Sequence, residues 1–498
     1  FEQSRDYSDG TIINYAYDEA GRMIGGDGLS LGYDDNGNLS SSNDIAMSYD
    51  AVDRLETVEL APGRTITYVY DDRDRLLGIR DWSGDAISFQ HDDTGQLTDI
   101  SRANGVATGL GYDILGQLTD IEVPGISSIN LTRRPDGLVE RAQRSVPRPT
   151  GITTIGSRTF DHDAAHQVNA FSYDGLGRRT GDDNYDYDWS LASRLNGYSA
   201  LSGDVTFEYD AIGMRTSRAD AGGRVEFVWN YALGLPSASI QRRNGNDERY
   251  FVYTPAGDLV YSIESDGSRR FYHFDENGNT LYLTDDSGDV IASYAYSPYG
   301  EILLEVDPID NPFKFLGQRG AMQEGDEGLY YLRARYYDAE TARFLSRDPL
   351  QGDTPKRINP YQYGQGNPLL FRDPTGLKGE KESESWLGWI ANKAIEKATD
   401  VVNGGFGVMN VIGARWQAVR AVTAKGFEAL VKTNDEATWA LAARNRMTVH
   451  HRLANTALQT RARVPAPATP IGDIASSAKW GIFGGLVSGV LEDADKYT

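Results

Sequence analysis

A short unit that begins with an aromatic residue and an aspartate recurs along the first three quarters of this sequence. Its regular copies follow one another at short, nearly constant intervals and start at Tyr17, Tyr33, Tyr49, Tyr70, His91 and Tyr112; later copies start at Tyr173, Tyr209, Tyr253, Phe274 and Tyr296. Such a period indicates one supersecondary unit that is stacked many times, and it constrains the fold more than any other feature.

Each unit has the pattern of a β-hairpin. The segment before the aromatic residue alternates, as in T-I-T-Y-V-Y over residues 65–70, which places one set of side chains on each face of a sheet. The aspartate is suited to accept hydrogen bonds from backbone N–H groups in the turn, and the Gly or Asn that often follows tolerates a left-handed backbone. The sequence therefore predicts a mainly β protein in which each repeat adds a pair of antiparallel strands to a continuous sheet.

The unit Y-D-x-x-G-R-L, repeated in series at this spacing, resembles the signature of the Rhs/YD-repeat family. The resemblance covers residues 1–377. It implies a spiralling antiparallel sheet that closes into a hollow, cocoon-like shell. Shells of that family are usually much longer than this span, so we expect other residues or another chain to complete the enclosure.

Charge divides the chain near residue 377. Residues 1–377 carry 34 basic and 60 acidic residues, whereas residues 378–498 carry 15 basic and 12 acidic residues. An acidic body repels nucleic acid, so we expect no nucleic-acid binding by the repeats. The absence of cysteine excludes disulfides and cysteine-based nucleophiles or metal sites. The repeat aspartates also lack the spacing of a calcium loop, and neither a metal nor a cofactor is expected.

Residues 328–377 differ from the repeats and resemble the Rhs core-associated domain almost from end to end. In that family this region caps the shell and cleaves its own chain in the manner of an aspartyl protease. Carried onto this sequence, cleavage follows the D-P-T-G-L motif, which includes Pro374 and Gly376, and breaks the bond between Leu377 and Lys378. The charge boundary falls at the same place.

Two aspartates provide the chemistry that such a cleavage needs. Peptide hydrolysis by carboxylates requires one ionised group to activate water and one protonated group to donate a proton, and two neighbouring carboxyl groups divide these roles. Asp348 and Asp373, each followed by proline, are the predicted pair, with Asp353 as a substitute for the second. Arg347 is the candidate that orients a carboxylate or polarises the scissile carbonyl. Three nearby residues could take the same role: Arg333, Arg335 and Arg343. The alternative is that both Asp-Pro turns only shape the cap.

The tail, residues 378–498, has no repeat unit. Apolar residues with a period near 3.6 predict amphipathic helices over residues 385–402, 408–431 and 437–458. His450 and His451 lie among arginines, as in a nuclease, but adjacent residues face different sides of a helix. The uncharged stretch Trp480–Leu491 is shorter than a membrane span. A nuclease, a membrane-acting toxin and a packing or translocation segment all remain open.

The sequence thus predicts three parts: a repeat shell at 1–327, a self-cleaving cap at 328–377 and a variable helical effector at 378–498. The resemblance implies a toxin carrier whose shell encloses its own tail. Its expected partners are a secretion apparatus of type VI or Tc type and a cognate immunity protein, and membrane contact is expected only of the tail. The expected location is outside the producing cell, or on its surface. The rival interpretation is a non-catalytic surface or adhesion protein, because YD repeats also resemble teneurin-type receptors.

Overall fold

The computed structural model describes residues 2–134, 137–147, 158–306, 309–325, 328–350, 359–377 and 380–381. In this part of the chain nearly every regular element is an antiparallel strand that pairs with its sequence neighbours. The predicted mainly β fold built from hairpin repeats is therefore confirmed. The predicted tail helices, the Trp480–Leu491 stretch, His450, His451, Asp353 and Lys378 lie outside the described residues. Among those residues, no helix has the length and hydropathy that crossing a bilayer requires.

The first sheet has 15 strands in simple sequence order. They are β1 Ser4–Asp6, β2 Ile12–Tyr17, β3 Met23–Gly26, β4 Leu29–Tyr33, β5 Leu39–Ser42, β6 Ile45–Tyr49, β7 Leu55–Ala61, β8 Arg64–Tyr70, β9 Leu76–Asp81, β10 Gly84–His91, β11 Leu97–Arg102, β12 Ala107–Tyr112, β13 Leu118–Val123, β14 Ser127–Arg133 and β15 Val139–Ser145.

The second sheet has 14 strands, again in sequence order. They are β16 Ser172–Tyr173, β17 Arg179–Gly181, β18 Tyr185–Trp189, β19 Leu195–Ala200, β20 Gly203–Tyr209, β21 Arg215–Asp220, β22 Gly223–Asn230, β23 Ser237–Arg243, β24 Asn246–Tyr253, β25 Leu259–Glu264, β26 Arg269–Phe274, β27 Thr280–Thr284, β28 Val290–Tyr296 and β29 Ile302–Val306.

Two small sheets and two single turns of 3₁₀ helix follow. One sheet contains β30 Met322–Glu324, β31 Leu329–Leu332, β32 Arg335–Asp338 and β33 Arg343–Phe344, and the other contains β34 Phe371–Arg372 and β35 Glu380–Lys381; the helical turns are Gly317–Arg319 and Gly364–Gly366. The four-stranded sheet thus includes Met322–Glu324, which precedes the segment that resembles the Rhs core-associated domain.

The repeat aspartate caps its turn as the sequence predicts. In the unit that starts at Tyr70, Asp71 Oδ1 accepts hydrogen bonds from the backbone N–H groups of Arg73 and Arg75 at 2.8 and 2.9 Å. The backbone N–H of Asp71 in turn donates to the carbonyl of Arg75 at 3.0 Å. The register of β8 against β9 shifts at Tyr70, so the aromatic residue sits at a β-bulge. Each such turn therefore closes one hairpin and bends the sheet.

The repeat tyrosines also tie successive hairpins together. In six repeats the hydroxyl donates to the backbone carbonyl of the residue that opens the return strand of the preceding repeat, at 2.7 to 2.9 Å. The pairs are Tyr33 with Met23, Tyr49 with Leu39, Tyr70 with Leu55, Tyr112 with Leu97, Tyr209 with Leu195 and Tyr296 with Thr280. This bond explains the excess of tyrosine over phenylalanine, since phenylalanine has no donor to offer.

Replacing Tyr70 by phenylalanine is expected to lower the free energy of unfolding by about 1 kcal/mol, because the Leu55 carbonyl loses its partner at a half-buried position. Urea denaturation of the full chain measures the change. Tyr15→Phe is the matched control, since the Tyr15 hydroxyl has no hydrogen-bond partner among the described residues, and it is expected to change stability by no more than a few tenths of a kcal/mol. Equal losses of stability in Tyr70→Phe and Tyr15→Phe would show that the hydrogen bond from Tyr70 to the Leu55 carbonyl does not stabilise the protein.

The two large sheets pack against each other, and one hydrophobic cluster spans both. Ile66, Tyr68 and Ile79 of the first sheet belong to the same cluster as Tyr253 and Tyr261 of the second. Polar contacts join the same faces, such as the Tyr68 hydroxyl, which donates to the Tyr253 carbonyl at 2.8 Å. Strands β22 to β28 contain long runs of buried residues, which is typical of a sheet covered on both sides.

The first sheet covers one side of the second sheet, and the four-stranded sheet covers the other. Its aromatic side chains lie against the second sheet, as Tyr331 does with its ring centroid 6.4 Å from that of Trp229. The Tyr336 and Tyr209 hydroxyls lie 2.9 Å apart, and the Tyr330 hydroxyl donates to the Gly300 carbonyl at 2.9 Å. The cap is therefore held by specific polar and aromatic contacts, which fix the position of the residues it carries.

One repeat aspartate is buried at the meeting of the two large sheets. Asp210 is fully buried beneath the β3–β4 turn, and the Tyr231 hydroxyl donates to its Oδ2. Burial raises the pKa of the Asp210 carboxyl from 3.8 to about 6, although this hydrogen bond opposes the shift. Because the folded state binds this proton more tightly than the unfolded state does, stability falls as pH rises from about 4 to about 6 and stays lower above that range.

Asp210→Asn is expected to remove this pH dependence, which amounts to about 3 kcal/mol for a shift of this size. The measurement is the free energy of unfolding of the full chain at several pH values between 4 and 7, compared with wild type. Asp71→Asn is the control, because a hydrogen bond from the backbone N–H of Arg75 lowers the pKa of Asp71 to about 2. This carboxyl titrates below the measured pH range, so its replacement should leave the pH dependence between 4 and 7 nearly unchanged. An Asp210→Asn profile parallel to that of wild type would contradict the assignment.

Candidate active site

The segment that carries the D-P-T-G-L motif lies against the turn between β31 and β32. The Ala334 backbone N–H donates to the Thr375 carbonyl at 3.1 Å, and Arg333 Nη1 donates to the Pro374 carbonyl at 2.7 Å. Gly376 has φ of +68°, and a Cβ there would lie 2.6 Å from the Leu332 carbonyl oxygen. Only glycine fits this approach, so the glycine of the motif brings the chain into contact with the cap sheet.

Arg335 brings the two predicted aspartates together. Its Nη2 atom lies 3.7 Å from Asp348 Oδ2 and 3.3 Å from Asp373 Oδ2, so one nitrogen contacts both carboxylates. Its Nε atom donates to the Gly376 carbonyl, one residue before the predicted scissile bond. The guanidinium is almost completely buried and lies 3.5 Å above the ring of Phe344, which holds its plane in place.

The two carboxylates differ in their surroundings. Asp373 is 2% exposed, and its Oδ1 accepts hydrogen bonds from the Thr375 hydroxyl at 3.2 Å and the Leu377 backbone N–H at 3.0 Å. The side chain of Asp348 is 20% exposed, and its Oδ1 accepts one hydrogen bond, from the Leu350 backbone N–H at 2.9 Å. Water can therefore reach Asp348, whereas Asp373 holds Leu377, the residue that carries the predicted scissile carbonyl.

The electrostatics of this site are those of a region with little water. Burial raises the pKa of Tyr363, and the nearby charge of Asp373 raises it further. The shared guanidinium places one positive charge beside both carboxylates, 3.7 Å from Asp348 Oδ2 and 3.3 Å from Asp373 Oδ2. The site thus combines two carboxylates, one cation and a buried peptide segment that ends at Leu377.

The other arginines considered from the sequence make different contacts. Arg347 is exposed, and its Cδ lies against Gly177 of a repeat turn, within 2.7 Å of where a Cβ would be. Arg343 faces His162, with Nη1 3.0 Å from Nε2. Arg333 bonds the Pro236, Pro374 and Arg319 carbonyls at 2.7 to 2.9 Å, which ties the motif segment to the shell. Among these four arginines, the contacts with both aspartates belong to Arg335.

The sequence contains no spacing rule that would have selected Arg335. It precedes both aspartates in the chain and is adjacent to neither, and the contact depends on how β32 and the motif segment pack. Its one distinguishing mark in the sequence is its place at the start of a short aromatic strand, R-Y-Y-D, in a region with several other arginines.

One known protein family matches most of the described chain. The family model described as Teneurin YD-shell matches residues 1–155 and 152–369. Similar curated proteins include the tRNA3(Ser)-specific nuclease WapA of Bacillus spizizenii, which is 31% identical over 220 residues, covering 42% of this chain and 9% of that protein. Another is the toxin protein Tse5 of Pseudomonas aeruginosa, 38% identical over 108 residues, covering 22% of this chain and 8% of that protein.

Among solved structures, the complex TcdB2-TccC3-Cdc42 matches with 18% identity and a TM-score of 0.37, covering 75% of this chain and 21% of that one. This chain thus spans less than a tenth of the length of the two curated relatives. The match of the YD-shell model to both repeat sheets and to most of the cap agrees with the hairpin repeats and with the described fold. The chain therefore belongs to the YD-shell family of repeat proteins, as a member of the Rhs/YD-repeat polymorphic toxins.

Proposed function

We propose that this chain is part of a toxin carrier whose cap hydrolyses the bond between Leu377 and Lys378 once, within its own chain, and so separates residues 378–498 from the shell. The observation that carries the proposal is the convergence of Asp348, Asp373 and Arg335 on the segment that ends at Leu377. A carboxylate pair beside a fixed peptide bond is the arrangement that acid–base hydrolysis requires.

The difference in exposure suggests the roles. Asp348, which solvent reaches, takes a proton from the attacking water, and the hydroxide forms a bond to the Leu377 carbonyl carbon. Arg335, already bonded to the neighbouring Gly376 carbonyl, stabilises the negative charge that develops on the Leu377 oxygen. When the C–N bond breaks, the Lys378 nitrogen takes up a proton through the carboxyl pair. The Leu377 carboxylic acid then gives its proton to the amine, so the products are a carboxylate on Leu377 and an ammonium group on Lys378, and water is the only reactant consumed.

Two observations support the carrier role: the descriptions of related proteins and the difference in charge between the repeats and the tail. Relatives of this chain are described as a tRNA nuclease and as a toxin protein, and residues 378–498 differ from the acidic repeats in their positive balance. We propose that the shell, together with further repeats, encloses the tail until a secretion apparatus of type VI or Tc type delivers it. A cognate immunity protein would protect the producing cell. Because the inner faces of the two sheets already pack together, the space for the tail requires those further repeats.

Intact-mass measurement of the purified full chain tests the cleavage. Wild type is expected to give two species, residues 1–377 and residues 378–498, and Asp348→Ala is expected to remain a single chain because it removes the base. Asp113→Ala, which takes a carboxylate from a repeat turn in the first sheet, is the control and should cleave like wild type. A single uncleaved chain in wild type, or cleavage of Asp348→Ala at the wild-type rate, would rule the proposal out.

A second candidate function, toxicity of the tail, is supported by the names of the relatives. Expressing residues 378–498 inside and outside a bacterial cytoplasm distinguishes the possibilities. Growth arrest only in the cytoplasm would indicate an intracellular target such as RNA. Arrest from outside the cytoplasm would indicate a membrane target. Growth in both cases, together with an uncleaved wild-type chain, would favour the non-catalytic surface or adhesion protein.

A further inference from the structure

Residues 174–179 of the second sheet, a repeat turn with the first residue of β17, touch the cap beside the candidate active site, and we call them the shell turn. The Gly177 carbonyl accepts a hydrogen bond from the Tyr361 hydroxyl at 2.6 Å. The Arg179 backbone N–H donates to the Leu345 carbonyl at 2.8 Å. Because Leu345 precedes the first predicted aspartate in the sequence and Tyr361 follows it, the shell turn holds the cap on both sides of that residue.

The cap residue that precedes Tyr361 aligns Asp348 with Arg335. The Pro360 carbonyl accepts hydrogen bonds from the Asp348 backbone N–H at 2.9 Å and from Arg335 Nη1 at 3.2 Å. Tyr361 itself is buried, and its carbonyl accepts a hydrogen bond from the Phe344 backbone N–H at 2.9 Å. The hydrogen bond between Tyr361 and the shell turn therefore lies one residue away from the carbonyl that fixes the backbone of Asp348.

The two aspartates of the candidate site depend on different contacts. Asp373 Oδ1 accepts hydrogen bonds from the Thr375 hydroxyl and the Leu377 backbone N–H, which belong to its own motif segment. The backbone of Asp348 is held instead through Pro360, beside the shell turn. The placement of Asp348 is therefore the part of the candidate site that depends on this repeat of the second sheet.

Gly177 allows the shell turn to approach the cap closely. It is buried and has φ of +77°, in the left-handed region that favours glycine. A Cβ at this position would lie 2.7 Å from both Tyr361 Oη and Arg347 Cδ. Non-bonded heavy atoms normally keep about 3.5 Å apart, so an added methyl group would push these side chains away by about 1 Å. Arg347 is the neighbour of Asp348 in the chain, and the displacement would therefore reach the carboxylate.

We propose that the shell turn is part of the cleavage site, where Gly177 and Tyr361 are positioning residues for Asp348. This inference rests on the proposed cleavage after Leu377 and adds a condition to it: the bond is hydrolysed only in chains whose second sheet has folded against the cap. Positioning has a large effect in catalysis, since a displacement of about 1 Å can slow a reaction about 100-fold. A chain with a misfolded second sheet would keep its tail attached.

Gly177→Ala tests the inference from the side of the shell. The full chain is translated in a cell-free system with a pulse of labelled methionine, and the fragment 1–377 is followed over time, which gives a first-order rate and a final extent of cleavage. We expect the rate to fall about 100-fold. Gly116→Ala is the matched control and should cleave at the wild-type rate. Gly116 has the same turn position and φ of +76°, but its added Cβ would meet only the flexible end of Gln96, at 3.1 Å.

Tyr361→Phe tests the same contact from the side of the cap. Phenylalanine keeps the ring contact with Tyr173, whose centroid lies 5.9 Å away, but removes the hydrogen bond to the Gly177 carbonyl. The rate of cleavage is expected to fall about fivefold, which corresponds to the loss of one hydrogen bond that supports the transition state. Tyr70→Phe removes the same kind of hydrogen bond in the first sheet, far from the cap, and should cleave at the wild-type rate.

The rate and the final extent of cleavage separate positioning from support of the fold. If the shell turn only supported the fold, the variants would give fewer folded chains and a lower final extent, while the folded chains would cleave at the wild-type rate. That result, or wild-type kinetics in either variant, would overturn the inference. Resistance of the uncleaved chain to a protease checks folding, and Tyr361→Phe decides the question if Gly177→Ala does not fold. A wild-type chain that never cleaves would instead refute the proposed function itself.

Discussion

Replacing Arg335 by methionine is expected to abolish cleavage after Leu377 and to lower the free energy of unfolding by about 3–5 kcal/mol. The methionine fills the space above Phe344 but leaves Asp373, which is 2% exposed, without its cation. It also removes the donor to the Gly376 carbonyl. The rate of cleavage should fall at least about 100-fold, which is the usual effect of losing one group that stabilises the transition state. Intact mass and urea denaturation measure the two effects.

Arg335→Lys and Arg347→Met complete this comparison. Lysine keeps the charge but cannot bond both aspartates and Gly376 at once, so we expect a stable protein that cleaves slowly. Arg347, the candidate favoured from the sequence, is exposed and lies against Gly177, so Arg347→Met should cleave like wild type and lose little stability. Loss of cleavage in Arg347→Met, with cleavage retained in Arg335→Met, would return the role to Arg347.

Arg215→Met is expected to lower the free energy of unfolding by about 3–5 kcal/mol without any direct part in cleavage. Arg215 and Glu324 are 1% and 2% exposed in their side chains, and Nη1 lies 2.7 Å from Oε2. The guanidinium also lies 4.7 Å from the ring centroid of Tyr331, so it joins the second sheet to the cap. Its removal leaves Glu324 buried with one cation, Arg218 at 3.1 Å.

Two further variants establish the cause of that loss. Adding Glu324→Gln to Arg215→Met removes the buried carboxylate that has lost one of its two cations and should restore part of the stability. Arg224→Met removes an arginine that is 41% exposed in its pair with Glu208, and such surface pairs contribute less than about 1 kcal/mol. If Arg215→Met lost no more stability than Arg224→Met, the buried pair would not hold the cap to the shell.

The repeat architecture could be predicted from the sequence because it depends on local rules. Alternation, turn aspartates and positive-φ glycines act between residues that are close in sequence, and the hairpins and turn bonds follow from them. The repeat units that were missed include two in which Trp189 and Trp229 stand where tyrosine is usual. Each indole Nε1 donates to the carbonyl opening the preceding return strand, Arg179 for Trp189 and Arg215 for Trp229, both at 2.7 Å. The signal was present in the spacing and in the ability of tryptophan to donate one hydrogen bond.

The candidate site could be predicted only in part. Asp348 and Asp373 were selected because a motif and a chemical requirement agreed, and both lie beside Arg335. The choice among Arg333, Arg335, Arg343 and Arg347 depends on which side of a short strand faces the motif segment, and no local pattern determines that. The packing of the two sheets and the burial of Asp210 likewise arise from contacts between residues far apart in sequence.

The most direct test of cleavage by the cap is identification of the new chain terminus in the purified wild-type protein. Mass spectrometry of the separated fragments is expected to give a long fragment that ends at Leu377 and a short fragment that begins at Lys378, in equal amounts and with a half-time independent of protein concentration. A terminus at any other bond, a half-time that shortens as the protein is concentrated, or a chain that stays intact at 498 residues would contradict cleavage in cis at this site.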